Sequence, residues 1–117
     1  MERGGEPIYR NNHHVFFERR DYKTPTERRV RNLGAFIIRA NAVDHRELHA
    51  NVPPPPKPDH DQLCDLYNFM QERIYDVEEL DGLEWGIVWA NDRRLYLLEE
   101  NLEDQWNYLS GAYRHGE

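Results

Sequence analysis

The stretch that most restricts how this chain can fold is a run of five prolines within the six positions Pro53–Pro58. Each proline fixes its φ angle and lacks a backbone N–H, so the run cannot lie inside an α-helix or in the middle of a sheet. It predicts a stiff, extended polyproline spacer that is exposed on one side. A ligand for the aromatic groove of a partner protein is the alternative interpretation.

The length of 117 residues predicts a single domain, 1–117, with the spacer at 53–58 between an N-terminal half, 1–52, and a C-terminal half, 59–117. The single cysteine excludes an internal disulfide and a cysteine-based zinc site. No apolar stretch approaches the roughly 20 residues of a membrane span. We therefore expect no membrane association and a cytoplasmic location, which is the host cytoplasm if the protein is phage-encoded.

Two strands and two helices are predicted before the spacer. Thr24 is a suitable N-cap, Pro25 suits the first helical position, and Glu27 is placed to complete a capping box. Asn41 is a suitable N-cap for the second helix. The predicted elements are strands over His14–Phe17 and Ala35–Ile38 and helices over Pro25–Leu33 and Ala42–Ala50.

After the spacer, apolar residues recur every three or four positions in two stretches. They predict a helix over Asp59–Tyr75 and another over Asp92–Leu109, each with one apolar face for the core. Between them, Gly82–Trp89 is predicted to be a loop or a short strand. The overall fold class is therefore α+β, with a helical C-terminal half joined to the N-terminal half by the spacer.

The two halves differ in charge. Residues 1–57 carry 11 Lys and Arg against 7 Asp and Glu, whereas residues 58–117 carry 4 against 15. A basic half can face phosphate, so DNA is a possible partner of the N-terminal half, and a protein is a possible partner of the acidic C-terminal half. The alternative is that both are ordinary solvated surfaces.

Four of the six histidines form two pairs that suggest a metal site. His13 and His14 are adjacent in a β-prone segment, and His45 and His49 are four apart in a predicted helix. Residues at i and i+4 lie on one helical face, so both imidazoles can reach the same ion. Neutral imidazole is a common ligand of zinc and similar metals. The alternative is that each pair is merely solvated or packed.

In this order the motifs resemble those of the HNH, or His-Me finger, nucleases, and most nearly the cysteine-free type of the colicin DNases. Those enzymes carry an adjacent His-His pair, a later Asn and a helical His-x-x-x-His. The matching residues are His13-His14 and the segment Asp44–His49, and the resemblance covers about residues 11–50. It implies a small ββα-metal-like N-terminal half.

The resemblance also implies roles for individual residues. His13, His45 and His49 would hold a divalent metal ion such as Zn, Mg or Mn, and His14 would be the general base. Asn32 and Asn41 are both candidates for the asparagine that orients the base, and we take Asn41 as the catalytic candidate.

The function implied is a metal-dependent endonuclease that hydrolyses DNA phosphodiester bonds. The alternative is a non-catalytic interaction or structural protein, for example a phage protein, that retains an HNH-like fold. The acidic C-terminal half leaves a third possibility, a protein inhibitor or DNA mimic.

Overall fold

The computed structural model describes residues 10–16, 19–74 and 80–111. Over these residues the protein is α+β, with one two-stranded antiparallel sheet, five α-helices and two short 3-10 turns. The 3-10 turns are Arg19–Asp21 and Gly34–Phe36. The strands are β1 (Arg10–His14) and β2 (Ile37–Asn41). The helices are α1 (Pro25–Asn32), α2 (Ala42–Asn51), α3 (His60–Gln71), α4 (Asp81–Asp92) and α5 (Tyr96–Ser110).

Both strands are shifted along the chain from their predicted positions and overlap them only in part. β1 ends at His14 instead of beginning there, and it pairs with β2 so that His13 faces Ile38 and His14 faces Ile37. Val15 and Phe16, predicted to be strand residues, are fully buried in the core, and Phe17 lies outside the described residues. The predicted second strand began at Ala35, but the Gly34–Phe36 turn occupies that position and β2 follows it.

The helix caps agree with the sequence prediction. Thr24 Oγ1 accepts a hydrogen bond from the Glu27 amide at 3.2 Å, and Glu27 Oε1 accepts one from the Thr24 amide at 3.0 Å. This reciprocal capping box fixes the start of α1. Asn41 Oδ1 accepts hydrogen bonds from the amides of Val43 and Asp44, so α2 begins directly where β2 ends.

The segment from Pro53 to Asp59 contains neither helix nor strand. It is attached to other parts of the chain at two points. The Pro53 carbonyl accepts a hydrogen bond from Asn101 Nδ2 at 2.7 Å, and Lys57 Nζ pairs with Glu27 Oε2 at 2.9 Å. Pro58 is buried, whereas Pro56 is exposed. The segment therefore follows the surface between the two halves and contacts both.

α3, α4 and α5 form the C-terminal half. α3 begins at a second capping box, between Asp59 and Gln62. It ends at Gln71, and Tyr75 lies outside the described residues. The prediction of a loop or strand over Gly82–Trp89 is wrong, because α4 covers this stretch. α5 starts at Tyr96 instead of Asp92, because α4 and a turn at Arg94 with φ of 60° precede it.

The core is shared by the two halves. The rings of Phe16 and Phe36 pack at an angle of 49° with centroids 4.5 Å apart, and the rings of Phe16 and Trp89 on α4 are nearly perpendicular with centroids 6.4 Å apart. A single cluster of buried residues joins residues before the proline segment to α3, α4 and α5. The C-terminal helices therefore help to position β1, which carries the histidine pair. The division into one domain of two halves stays a prediction.

Candidate metal centre

Three of the four paired histidines converge at one place. His13 is the fourth residue of β1, and His45 and His49 lie one turn apart on α2. One ligand atom from each residue lies within 4.8 Å of the other two. The ring centroids are 4.6 to 5.7 Å apart, and His45 Nε2 lies 3.0 Å from His49 Nε2. The structure brings the three predicted residues together, and the cluster could hold a metal ion. That they bind one stays a prediction.

The geometry suits a small divalent ion. Zinc–nitrogen bonds of about 2.0–2.1 Å in a tetrahedral site place two ligand nitrogens about 3.3 Å apart. The 3.0 Å separation of the His45 and His49 nitrogens is close to that value. All three donors are imidazole nitrogens, and the cluster contains no carboxylate. Three protein ligands also leave one position for water or substrate, as in catalytic zinc sites.

One buried atom gives independent support for a metal. His13 is only 3% exposed, and its Nδ1 has no hydrogen-bond partner among the residues that the structure describes. A buried polar atom without a partner is costly, so such an atom needs an explanation, of which an ion is one. His13 Nε2 lies 2.7 Å from Gln105 Oε1 on α5. The ring is thus held at one nitrogen and open at the other.

Gln105 is itself held by a buried polar network. Its Nε2 donates to the Val15 carbonyl at 3.0 Å and to Asn101 Oδ1 at 2.7 Å. Asn101 Nδ2 donates to the Pro53 carbonyl at 2.7 Å. Sequence reasoning missed both amides. The available signal was their spacing, since Asn101 and Gln105 are four apart beside Leu98 and Leu102 on the buried face of α5.

The surroundings of His13 and His45 lower the pKa of both side chains. Burial lowers the pKa of His13 to about 4, against the opposing effect of the hydrogen bond with Gln105, and the neighbouring histidines lower it further. Burial and the nearby His49 also lower the pKa of His45. Neutral imidazole is the form that binds metals, so the environment favours binding at neutral pH.

His14 lies beside the cluster and makes different contacts. Its Nε2 accepts a hydrogen bond from Arg31 Nε at 3.3 Å, and its ring lies 5.8 Å from that of Tyr22. Adjacent strand residues point to opposite faces, yet His13 and His14 both line the same cavity. This cavity has a volume of about 160 Å³ and is also lined by the other two histidines, Gln105 and the first prolines of the segment.

Asn41 is the residue predicted to orient the catalytic base. Its side-chain oxygen caps α2. Asn41 pairs with Arg10 across the sheet, whereas His14 pairs with Ile37, so the two residues lie at opposite ends of the ladder. That Asn41 orients the base stays a prediction, and no described contact links the two residues.

His60 is not part of the cluster. His60 on α3 has Nε2 3.7 Å from Cys64 Sγ, and His115 lies outside the described residues. Arg28 and Arg29 on α1 are exposed. Among the described residues, no helix is both long enough and apolar enough to cross a membrane.

Comparison with known proteins finds no matching family model, no matching curated protein and no matching solved structure. The resemblance to HNH nucleases therefore stays a prediction from the sequence motifs.

Proposed function

We propose that this chain is a metal-dependent endonuclease of HNH type that hydrolyses DNA phosphodiester bonds. The observation that carries the proposal is the meeting of His13 from β1 with His45 and His49 from α2, beside His14. An antiparallel strand pair is followed directly by a helix that carries two of the histidines, and this order supports the ββα-metal element expected for such enzymes. The proline segment would then act as a spacer between this element and the helical half.

His14 would act as the general base. Arginine is always a donor, so the hydrogen bond from Arg31 places the lone pair of a neutral His14 on Nε2. This nitrogen would take the proton from the attacking water. The 3.3 Å contact is long for an N–H donor, and a phosphate group would compete for the same guanidinium. If Arg31 moved to the phosphate, Nε2 would no longer accept the Arg31 hydrogen and would accept the proton from water.

A divalent ion held by His13, His45 and His49 would supply positive charge at the phosphate and at the leaving oxygen. Three neutral nitrogen donors without a carboxylate suit Zn²⁺, Co²⁺ or Ni²⁺ better than Mg²⁺, which prefers oxygen ligands. We therefore expect the site to bind zinc or a similar transition metal much more tightly than magnesium.

The phosphodiester substrate would reach the cluster through the cavity. His45 is half-buried and His49 is exposed, so the ion would have an open side. The exposed Arg46 on α2 and Arg39 on β2 belong to the basic N-terminal half. They are suited to phosphate contacts that position DNA without reading its sequence.

Two histidine variants test the proposal because they should fail differently. His14→Ala should bind metal as the wild type does but lose about 10²–10⁴-fold in DNA nicking, since a positioned base contributes that much. His49→Ala should lose metal affinity and activity together. His60→Ala is the matched control, because this histidine lies on α3 outside the cluster. Metal uptake and the nicking of supercoiled DNA are measured for all four proteins.

The second candidate is a non-catalytic interaction protein with an HNH-like fold. Asn41 lies at the opposite end of the sheet from His14, so it is poorly placed to orient the base. This placement favours the non-catalytic candidate. Metal binding without nicking under any divalent ion would select this candidate. A wild-type protein that neither binds metal nor nicks DNA would refute both the nuclease proposal and the metal site.

A further inference from the structure

The acidic C-terminal half contributes to the metal site through two buried amides on α5. His13 contacts Gln105, and Gln105 contacts Asn101. Both amides lie about 90 positions after His13 in the chain. A hydrogen bond to one nitrogen of an imidazole determines which tautomer it adopts. The direction of each hydrogen bond in this network therefore bears on which nitrogen of His13 is available to a metal.

The direction of the network is fixed by two backbone carbonyls. A carbonyl oxygen can only accept, so Asn101 must direct its Nδ2 towards Pro53, which leaves Asn101 Oδ1 facing Gln105. The Val15 carbonyl likewise requires the Nε2 group of Gln105. Rotating the Gln105 amide by 180° would place Oε1 against the Val15 carbonyl oxygen and Asn101 Oδ1, and neither of these atoms can donate a hydrogen. Both hydrogens of Gln105 Nε2 are therefore used, and Oε1 must face His13.

An amide oxygen is an acceptor only, so His13 Nε2 must carry the hydrogen in its 2.7 Å contact with Gln105. In a neutral imidazole the lone pair then lies on Nδ1. This is the buried atom of His13 for which the described part of the chain offers no hydrogen-bond partner. His45 and His49 approach each other through their Nε2 atoms instead.

From this geometry we infer that Gln105, held by Asn101 and the Val15 carbonyl, is a positioning residue that fixes His13 in the Nε2–H tautomer and so presents Nδ1 to the ion. The centre would hold its metal through one Nδ1 and two Nε2 atoms. The inference rests on the proposed metal site, but it does not depend on DNA cleavage.

The first test is direct observation of the tautomer. In protein labelled with ¹⁵N-histidine, long-range ¹H–¹⁵N correlation distinguishes protonated from unprotonated ring nitrogens, and a His13→Gln variant assigns the signals. We expect His13 to be Nε2–H at neutral pH without metal, and added Zn²⁺ to shift its Nδ1 signal. A metal-free His13 in the Nδ1–H form, or a zinc-induced shift at its Nε2, would overturn the inference.

The second test removes the acceptor. Gln105→Met keeps the length of the side chain but cannot accept from His13, so Zn²⁺ affinity should fall about 10–100-fold, as is typical when a group behind a metal ligand is lost. Gln71→Met is the control, because Gln71 is an exposed residue at the end of α3. Unchanged zinc affinity in a folded Gln105→Met protein would contradict a positioning role.

The two tests separate this inference from the proposed function. Gln105→Met also removes the hydrogen bonds that Gln105 donates to the Val15 carbonyl and to Asn101. The melting temperature of the variant is therefore measured without metal, to show whether it still folds. If that variant does not fold, the wild-type tautomer still decides the question. A wild type that binds zinc through His13 Nδ1 but does not nick DNA would refute the nuclease and support the positioning role. A wild type that binds no zinc would refute both.

Discussion

The approach of α4 to the turn before β2 gives a sharp stability prediction. Gly82 is buried in the first turn of α4, and a Cβ atom added there would lie 1.8 Å from the backbone oxygen of Ala35. Contacts under 3.0 Å essentially never occur for Cβ atoms, so the overlap is at least 1.2 Å. A backbone oxygen cannot rotate away as a side chain can. Gly82→Ala therefore requires α4 or the Gly34–Phe36 turn to shift.

The expected cost follows from two opposing effects. Overpacking typically costs about 1–3 kcal/mol, and an overlap with backbone belongs at the upper end of that range. The higher helix propensity of alanine offsets about 1 kcal/mol at most, and less in a first turn. The net loss is about 2 kcal/mol, which corresponds to a fall of about 8 °C in the melting temperature of a domain of this size.

Gly34→Ala is the matched control for this prediction. A Cβ at Gly34 would meet only Ile74 side-chain atoms at 3.8 and 3.9 Å, which is ordinary contact. Its free energy of unfolding should stay within about 0.5 kcal/mol of the wild-type value. Urea denaturation followed by circular dichroism measures both variants. A Gly82→Ala protein as stable as Gly34→Ala would refute the close packing of α4 against this turn.

Three further predictions concern the core, the pH dependence and the metal. Leu98→Asp places a charge at a position that is 3% exposed, so it should cost roughly 3 kcal/mol or more in thermal or urea unfolding; an unchanged melting temperature would contradict the packing of α5. Burial alone would raise the pKa of Glu27, but hydrogen bonds from the Lys23 and Thr24 amides and from Lys57 lower it to about 2. Because the folded-state pKa is below the ordinary value of 4.5, the stabilisation is present above about pH 4.5 and is lost as the pH falls towards 2; Glu27→Gln should flatten this part of the stability curve, and an identical curve would refute the assignment. Zn²⁺ at about 100 times its dissociation constant should stabilise the fold by about 2.7 kcal/mol in a thermal shift assay, and the same shift in His49→Ala would place the ion elsewhere.

Local rules predicted the features that local interactions determine. The capping box of Thr24 and Glu27 and the Asn41 cap depend on residues within three positions of each other, so their sequence patterns were sufficient. The pairing of His45 with His49 likewise follows from helical spacing alone. Their convergence with His13 was predicted from a family resemblance, and the structure supplies its geometry.

Features set by tertiary packing were predicted wrongly. Gly82 and Gly86 lower helix propensity and suggested a loop or strand, yet α4 includes both. A Cβ at Gly86 would lie 2.7 Å from Phe16, so the small residues are explained by close packing and not by a chain break. Similarly, Val15 and Phe16 have the composition of a strand, but burial in the core places them just beyond the end of β1.

The proline segment connects these observations to the site. Prolines lack N–H donors, so such a segment cannot pair its carbonyl groups within a helix or ladder of its own. In this protein an amide from α5 meets one of those carbonyls, at Pro53, and the same amide holds Gln105 in the orientation that His13 requires. The Pro53 carbonyl beside the cavity thus forms one end of the amide network. The proline segment, which most limits how the chain can fold, is therefore also linked through Asn101 and Gln105 to His13, a predicted metal ligand.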